Sequence, residues 1–232
     1  MENYTKRTGI TKVIMHNSVS LDGAFTDFEV DMELHYRAAG RYKADANLIG
    51  SNTISSGIDV YGGEILPEDE TDFTRPSRGA NLPYWVIVDT KGITRYQLHT
   101  CRRFEFCRDV IVLISEKTDD DYVSYLEERS YDYLVCGTEH VDLEKALGIL
   151  STKYGVKTVL IDSGPTLNGV MLSMGLIDEI SLLVSPVLVG SKSDKSLALL
   201  DTGSRNYGLE LLTCEEFDGG LLLLRYKICR DL

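Results

Sequence analysis

A single stretch constrains the fold of this chain more than any other. Lys157–Gly190, KTVLIDSGPTLNGVMLSMGLIDEISLLVSPVLVG, reads as an apolar strand, a tight Gly-Pro turn, a short helix and a second long apolar strand. Leu167, Val170, Met171 and Met174 fall at i, i+3, i+4 and i+7, the spacing of one helix face, and Gly175 ends that helix. A strand that enters a helix through small residues leaves the first N–H groups of the helix unpaired, and the helix dipole favours an anion there. Ser163, Gly164, Thr166 and Leu167 would supply those N–H groups. Pro165 suits the first helical turn because it has no N–H to satisfy.

Strand and helix patterns alternate along the rest of the chain. Lys12–Val19 is apolar and β-branched enough for a strand, and it ends in the turn Ser20-Leu21-Asp22-Gly23. Asp31 caps a helix expected over Met32–Lys43. Ala46–Gly50 is a short buried strand leading into Ser51-Asn52-Thr53, another helix start. Periodicity then disappears over Gly57–Pro83, which holds Gly62-Gly63, an acidic run from Glu68 to Asp72, and Arg75 and Arg78; a loop of this length is expected to be functional or mobile. Tyr84–Asp89, Asp109–Ser115 and Asp132–Cys136 read as strands, with a helix from Asp119 to about Arg129. Asp142 caps an amphipathic helix through Leu143, Ala146, Leu147 and Leu150, stopped by Gly155. Glu179–Val189 is a strand interrupted at Pro186, residues 191–208 a polar loop, and Leu209–Cys214 with Leu221–Cys229 a final hairpin turning near Asp218-Gly219-Gly220. The polar first 11 residues are expected to fray. Strands alternating with helices imply a parallel sheet covered on both faces. The expectation is one three-layer α/β domain over residues 1–232, mostly parallel, with an antiparallel C-terminal hairpin.

Charge and composition exclude several function classes. A net charge of -12 argues against a protein that wraps nucleic acid or lies on an anionic membrane. No apolar run reaches the ~20 residues of a membrane span, and MENYTKRTGITK has no apolar secretory core, so a cytoplasmic location is expected. Five cysteines without C-x-x-C spacing read as reduced thiols, Cys136 and Cys229 among core residues. His16, His35, His99 and His140 lack ligand spacing, so no metal site is expected; His16, within a strand, reads as a satisfied core or pocket-lining group. G-x-G-x-x-G, the P-loop and G-x-S-x-G are all missing.

The chemistry instead gathers at three strand-to-helix turns: Ser20-Leu21-Asp22-Gly23, Gly50-Ser51-Asn52-Thr53 and Ser163-Gly164-Pro165-Thr166. In an open α/β sheet, ligands bind beyond the carboxyl ends of the strands, so three such turns could surround one extended ligand. Arg75 and Arg78 either pair with the acidic run or close over an anionic substrate, since guanidinium matches phosphate geometry.

These turns, with Asp45–Thr53, Asp162–Asn168, Gly175–Glu179 and Ser185–Gly190, resemble the RibD C-terminal reductase family across about residues 11–228. The resemblance implies a dihydrofolate-reductase-like fold, a homodimer and NADPH-dependent reduction of the ribosylamino group of a phosphorylated pyrimidine in riboflavin biosynthesis. It further implies that Gly50, Ser51, Thr53, Ser163, Gly164, Pro165, Thr166 and Leu167 hold the cofactor phosphates and that Ser115 approaches the adenosine ribose or its 2′-phosphate. Asp22 would be the catalytic carboxyl near the substrate ring, with Ser20 beside it, and Arg78 or Arg75 would take the substrate 5′-phosphate. Another reductase of the same fold, acting on a pterin or an unrelated small molecule, and a non-catalytic nucleotide-binding module are the alternatives.

Overall fold

The strand Val110–Ile114 shows why a two-sided sheet forms. All five residues, VIVLI, are buried. Val110, Val112 and Ile114 face one apolar cluster, while Ile111 and Leu113 face another. Side chains alternate across a strand, so an unbroken apolar run requires cover on both faces.

The computed structural model describes residues 11–61, 65–197, 200 and 206–229. Gly62-Gly63, part of the 191–208 loop and the polar start of the chain before Thr11 lie outside them. The elements in chain order are β1 (Lys12–Ser20), α1 (Met32–Gly40), β2 (Ala46–Gly50), α2 (Ser51–Tyr61), β3 (Tyr84–Val88), α3 (Leu98–Arg103), β4 (Val110–Ile114), α4 (Asp120–Glu128), β5 (Asp132–Val135), α5 (Leu143–Tyr154), β6 (Thr158–Ile161), α6 (Pro165–Ser173), β7 (Glu179–Ser185), β8 (Gly208–Phe217) and β9 (Leu221–Cys229). They form one nine-stranded sheet in the order β5-β4-β3-β2-β6-β1-β7-β9-β8. Strands β5 to β7 in that order are parallel, and β9 and β8 add an antiparallel edge. Helices α5 and α6 cover one face through Leu143, Leu147, Leu150 and Met171. On the other face lie α2, α3 and α4, with Ile54, Leu98 and Leu126, and α1, whose Leu34 and Ala38 meet Leu183 and Leu223. The expected three layers are present.

Several boundaries differ from expectation. Helix α1 stops at Gly40 rather than Lys43, its last carbonyls taken by the Arg41 N–H. Strand β7 stops at Ser185, because Pro186 has no N–H for the ladder. Strand β8 is longer than Leu209–Cys214. Helix α3 gave no periodic signal because it has only six residues and no side-chain cap. Gly57 lies within α2.

The irregular segment after α2 is pinned along its described residues, contrary to the mobile half of the expectation its length raised. The acidic run carries a short 3-10 helix, Glu70–Phe73, capped by Asp69. Glu68 takes the Arg129 guanidinium at 2.7 and 2.8 Å, and the buried Asp72 takes Arg103 at 2.5 Å. Arg102 is 3% exposed, bonds Asp109 at 2.9 Å and donates to the carbonyls of Asp72, Arg129 and Ser130. All of this lies at the amino edge of the sheet, where α3 leads into β4 and α4 into β5.

A buried carboxylate that loses its cation is strongly destabilising, so Arg102→Ala is expected to lower unfolding stability by about 3–5 kcal/mol. Urea denaturation measures this; a loss below about 1 kcal/mol, the range of an exposed pair, would show that Arg102 does not hold this edge.

Candidate active site

Because the strands from β5 to β7 run parallel, the turns that follow β1, β2 and β6 emerge at one edge. The turns after β2 and β6 are knitted together by Ser163, which is 4% exposed. Its hydroxyl accepts the Gly50 N–H at 3.2 Å and contacts the Thr53 hydroxyl at 3.1 Å. Gly164 N–H donates to the same Thr53 oxygen at 3.3 Å. The Ser163 carbonyl accepts the side-chain amides of Asn17 and Asn168, each at 2.8 Å. A Cβ on Gly50 would lie 3.2 Å from the Ser163 hydroxyl and 3.9 Å from Leu167, which explains the glycine at this close approach. The structure therefore brings Gly50, Ser51, Thr53, Ser163, Gly164, Pro165, Thr166 and Leu167 into one locus.

Two helix N-termini meet here, and their chemistry differs from that of α1, α4 and α5. Helices α1, α4 and α5 begin with Asp31, Asp119 and Asp142 as side-chain caps and carry acidic residues in their first turns. Helix α6 has Gly164 as an N-cap without a side-chain bond, and neither α2 nor α6 has an acid in its first turn. Unpaired N–H groups with no competing carboxylate suit a phosphate. A Cβ on Gly164 would come no nearer than 3.8 Å to Thr53, so the approach to this turn is open. Ser115 follows β4 on the same edge, two strands from β2, and its buried hydroxyl has no partner. At about 4.8 Å per strand that lateral distance is about 10 Å, a span suited to an extended dinucleotide. These features fit a nicotinamide dinucleotide.

The turn after β1 is built as a latch. Asp22 accepts the Ser20 hydroxyl at 2.5 Å, the Gly190 N–H at 2.7 Å and the Val189 N–H at 3.2 Å. The Ser20 hydroxyl in turn accepts the Ala24 N–H at 2.8 Å. The loop after β7 also meets this turn through an Ala24–Ser196 bridge. The Ser20 hydrogen bond, followed by those of Gly190 and Val189, holds the Asp22 carboxyl down at about 2. These bonds make Asp22 the structural tie between the turn after β1 and the loop after β7.

Arg75 and Arg78 do not join the site. Arg75 forms a two-pronged pair with Asp132, the first residue of β5, at 3.0 and 2.5 Å. Arg78 donates to the carbonyls of Phe104 and Cys107. Both lie at the amino edge, across the sheet from the three turns. Neither pairs with the acidic run, which Arg102, Arg103 and Arg129 engage instead.

A polar cluster that sequence spacing did not reveal lies between β1 and α1. His35 contacts Asp162 at 3.1 Å through Nε2 and the Ser18 hydroxyl at 2.8 Å through Nδ1. His16 lies 4.6 Å away, ring centroid to ring centroid. Its Nε2 faces the His35 carbonyl at 3.3 Å, and its Nδ1 faces the Ser181 hydroxyl at 2.9 Å. Burial, with the repulsion of His35, pushes the His16 imidazole down to about 4. His16 is thus a satisfied buried group, as expected. Asp162 lies below the usual carboxylate range: burial opposes its charge, but the hydrogen bond and charge of His35 outweigh it.

The sequence profile of the RibD C-terminal domain matches residues 11–223. The chain belongs to the RibD C-terminal domain family. The 2,5-diamino-6-ribosylamino-4(3H)-pyrimidinone 5′-phosphate reductase of Methanothermobacter thermautotrophicus is 27% identical over 197 residues, 80% of this chain and 82% of that protein. The reductase of the same name from Aquifex aeolicus is 28% identical over 196 residues, 80% of this chain and 81% of its own length. Among solved structures, a pyrimidine reductase-like protein from Corynebacterium diphtheriae superposes with a TM-score of 0.70 at 19% identity, covering 97% of this chain and 94% of that one. The fold is the dihydrofolate-reductase-like fold of RibD-type reductases. No helix among the described residues is long and apolar enough to cross a membrane.

The Asp22 latch of this RibD-type domain has a signed pH signature. Its folded carboxyl is held at about 2, below the unfolded value of about 3.9. Its contribution is therefore complete above about pH 4 and is lost as pH falls towards about 2. The stability difference between wild type and Asp22→Asn, followed by urea denaturation, is expected to shrink over that interval; a difference independent of pH would show that the latch does not depend on the carboxylate charge.

Proposed function

We propose that this chain is an NADPH-dependent reductase of riboflavin biosynthesis. Its substrate would be 2,5-diamino-6-ribosylamino-4(3H)-pyrimidinone 5′-phosphate, whose ribosylamino side chain becomes ribitylamino. The observation that carries the reading is the pair of helix N-termini, α2 and α6, neither with an acid in its first turn, joined through Ser163 at the carboxyl edge. The names of the curated relatives support the substrate.

Gly50, Ser51 and Thr53 on one side, and Ser163, Gly164, Pro165, Thr166 and Leu167 on the other, form the proposed seat for the cofactor phosphates. The free hydroxyl of Ser115 is the donor proposed for the adenosine ribose or its 2′-phosphate. The cofactor, when bound, supplies a hydride to the side-chain carbon. The chain itself binds, orients and shields. Ser163 fixes the two turns at their mutual distance, and the Ser20–Asp22 latch holds the loop after β7 against the turn after β1. Much of the rate in such a reaction comes from holding the partners in position.

The reading also places the protein in the cytoplasm as a homodimer. Free thiols at Cys101, Cys107, Cys136, Cys214 and Cys229 suit a reducing compartment. Exposed Leu209, Leu211 and Leu212 on the outermost strand β8 suit pairing with a second copy.

Loss of reduced-nicotinamide absorbance on mixing protein, NADPH and the phosphorylated ribosylaminopyrimidinone tests the proposal. Turnover is expected; saturable NADPH binding without turnover would move the protein to another substrate such as a pterin, and no binding would remove the reductase reading. Gly164→Asp sets a carboxylate where the phosphates would lie. It is expected to weaken NADPH binding, read by fluorescence titration, by about tenfold or more, equivalent to ~1.4 kcal/mol. Unchanged affinity would place the anion seat elsewhere.

A further inference from the structure

We propose that Asn47 is a substrate-binding residue that reads the N–H and C=O edge of the pyrimidinone ring, in a groove walled by Tyr36 and Phe106. The inference rests on the reductase reading above and extends it to how the ring is held.

Sheet register places Asn47 on the floor of that groove. Its neighbours in β2, Ala46 and Leu48, belong to the apolar cluster under α5 and α6, whereas Ile49 belongs to the one under α2, α3 and α4. Side chains alternate along a strand, so Asn47 shares the face of Ile49. In the ladder Asn47 stands between Trp85 on β3 and Leu160 on β6. Asp162 follows two residues after Leu160, about 7 Å further along the strand direction and on the same face. With the adenosine end of the cofactor at Ser115 and its phosphates at the Gly50–Ser163 joint, the hydride end falls towards β1, past the end of β6. Asn47 therefore lies below the reacting end, deeper in the sheet.

A row of rings borders this floor. Tyr36 on α1 meets the His35 ring edge-on, with centroids 5.1 Å apart. The Tyr36 ring lies 6.4 Å from that of Phe106, and Phe106 lies 5.8 Å from Trp85 and stacks on Phe104 at 5.1 Å. The row thus crosses from α1 to β3, above the strands that carry Leu160 and Asn47. Tyr36 and Phe106 are 52% and 51% exposed. Exposed aromatic faces of this kind suit a planar heterocycle.

The polar side chains nearest the reacting end are committed to one another. Asp162 and Ser18 bond His35, and His16 faces Ser181 and the His35 carbonyl. Asn47 differs: it is half-buried, and among the described residues no hydrogen bond reaches its carboxamide. Beside it, the buried Nε1–H of Trp85 also has no partner. A carboxamide carries an acceptor and a donor side by side. A 4(3H)-pyrimidinone carries the complementary pair, N3–H beside C4=O, so two parallel bonds form. The ribosylamino group is on C6, across the ring from N3. With C1′ at the hydride end, the N3–C4 edge points down the groove to Asn47, and the ring faces lie against Tyr36 and Phe106.

Asn47→Leu keeps the size of the side chain and removes both bonds. The KM for the pyrimidine is expected to rise about tenfold or more, as loss of a two-bond carboxamide contact to a base edge does. NADPH affinity by fluorescence titration should stay within about twofold of wild type. Asn47→Asp offers acceptors only. It opposes C4=O but matches 2,4-diaminopyrimidine, which takes a proton on N3 and then presents two donors side by side to the carboxylate. With 2-amino-4(3H)-pyrimidinone and 2,4-diaminopyrimidine as competitive inhibitors, the ratio of inhibition constants is expected to move towards the diamine by about tenfold or more in Asn47→Asp, a change that a purely structural residue would not produce. Trp85 is the single tryptophan of the chain, so its emission should change saturably as the pyrimidinone enters the groove. An unchanged KM in Asn47→Leu, an unchanged inhibitor ratio in Asn47→Asp, or constant Trp85 emission overturns the inference while the reductase reading stands. Wild-type protein that binds no NADPH, or does not reduce the pyrimidine, overturns both. Should Asn47→Leu fail to fold, the inhibitor ratio in Asn47→Asp decides the matter.

Discussion

Everything at the carboxyl edge depends on how Ser163 is satisfied. It is a buried serine whose hydroxyl and carbonyl both have partners from other elements: Gly50 and Thr53 from the second turn, Asn17 from β1 and Asn168 from α6. A buried polar group without a partner costs about as much as a lost hydrogen bond. The chain meets that requirement by crossing 113 positions of sequence between Gly50 and Ser163. The donors and acceptors of the two turns thereby satisfy one another. The proposed anion seat and the structural joint are thus the same piece of backbone.

The two edges of the sheet handle charge in different ways. At the amino edge, Arg102, Arg103 and Arg129 neutralise Asp109, Asp69, Asp72 and Glu68, and Arg75 meets Asp132. These contacts anchor a stretch with no long secondary element of its own. At the carboxyl edge, acids are withheld from the two helix starts that meet at Ser163 and appear instead as caps on α1, α4 and α5. The remaining carboxylates near β1 are tied, Asp22 to a loop and Asp162 to a histidine.

Sequence patterns revealed most of the fold because the fold is periodic. VIVLI between Asp109 and Ser115 could only be a strand covered on both faces, and Leu143, Ala146, Leu147 and Leu150 could only be one helix face. The strand-to-helix turns after β2 and β6, where the phosphate seat is proposed, were legible for the same reason, since small residues between a strand and a helix are a local signal. Other features were hidden because they are not local. The partner of the acidic run is set by where α3 and α4 end, so Arg75 and Arg78, its neighbours in sequence, were the wrong arginines to associate with it. The hold on Asp22 was hidden because Val189 and Gly190 lie far away in sequence. His35 and Asp162 are 127 positions apart, and no spacing rule within one element could join them. Alignment of a histidine on α1 with an acid after β6 exists only once the sheet order places β6 beside β1.

The make-up of the proposed anion seat has a consequence for how the protein would work in solution. Peptide N–H dipoles, fixed by the turn geometry, take the place that flexible guanidinium groups occupy in many phosphate sites. Such dipoles act only at contact range, whereas a net charge of -12 repels an approaching anion from a distance. Added salt shortens that repulsion more than it weakens the contact bonds. Capture of the dinucleotide should therefore quicken as ionic strength rises, the reverse of the usual behaviour where an anion is drawn in by a cationic surface.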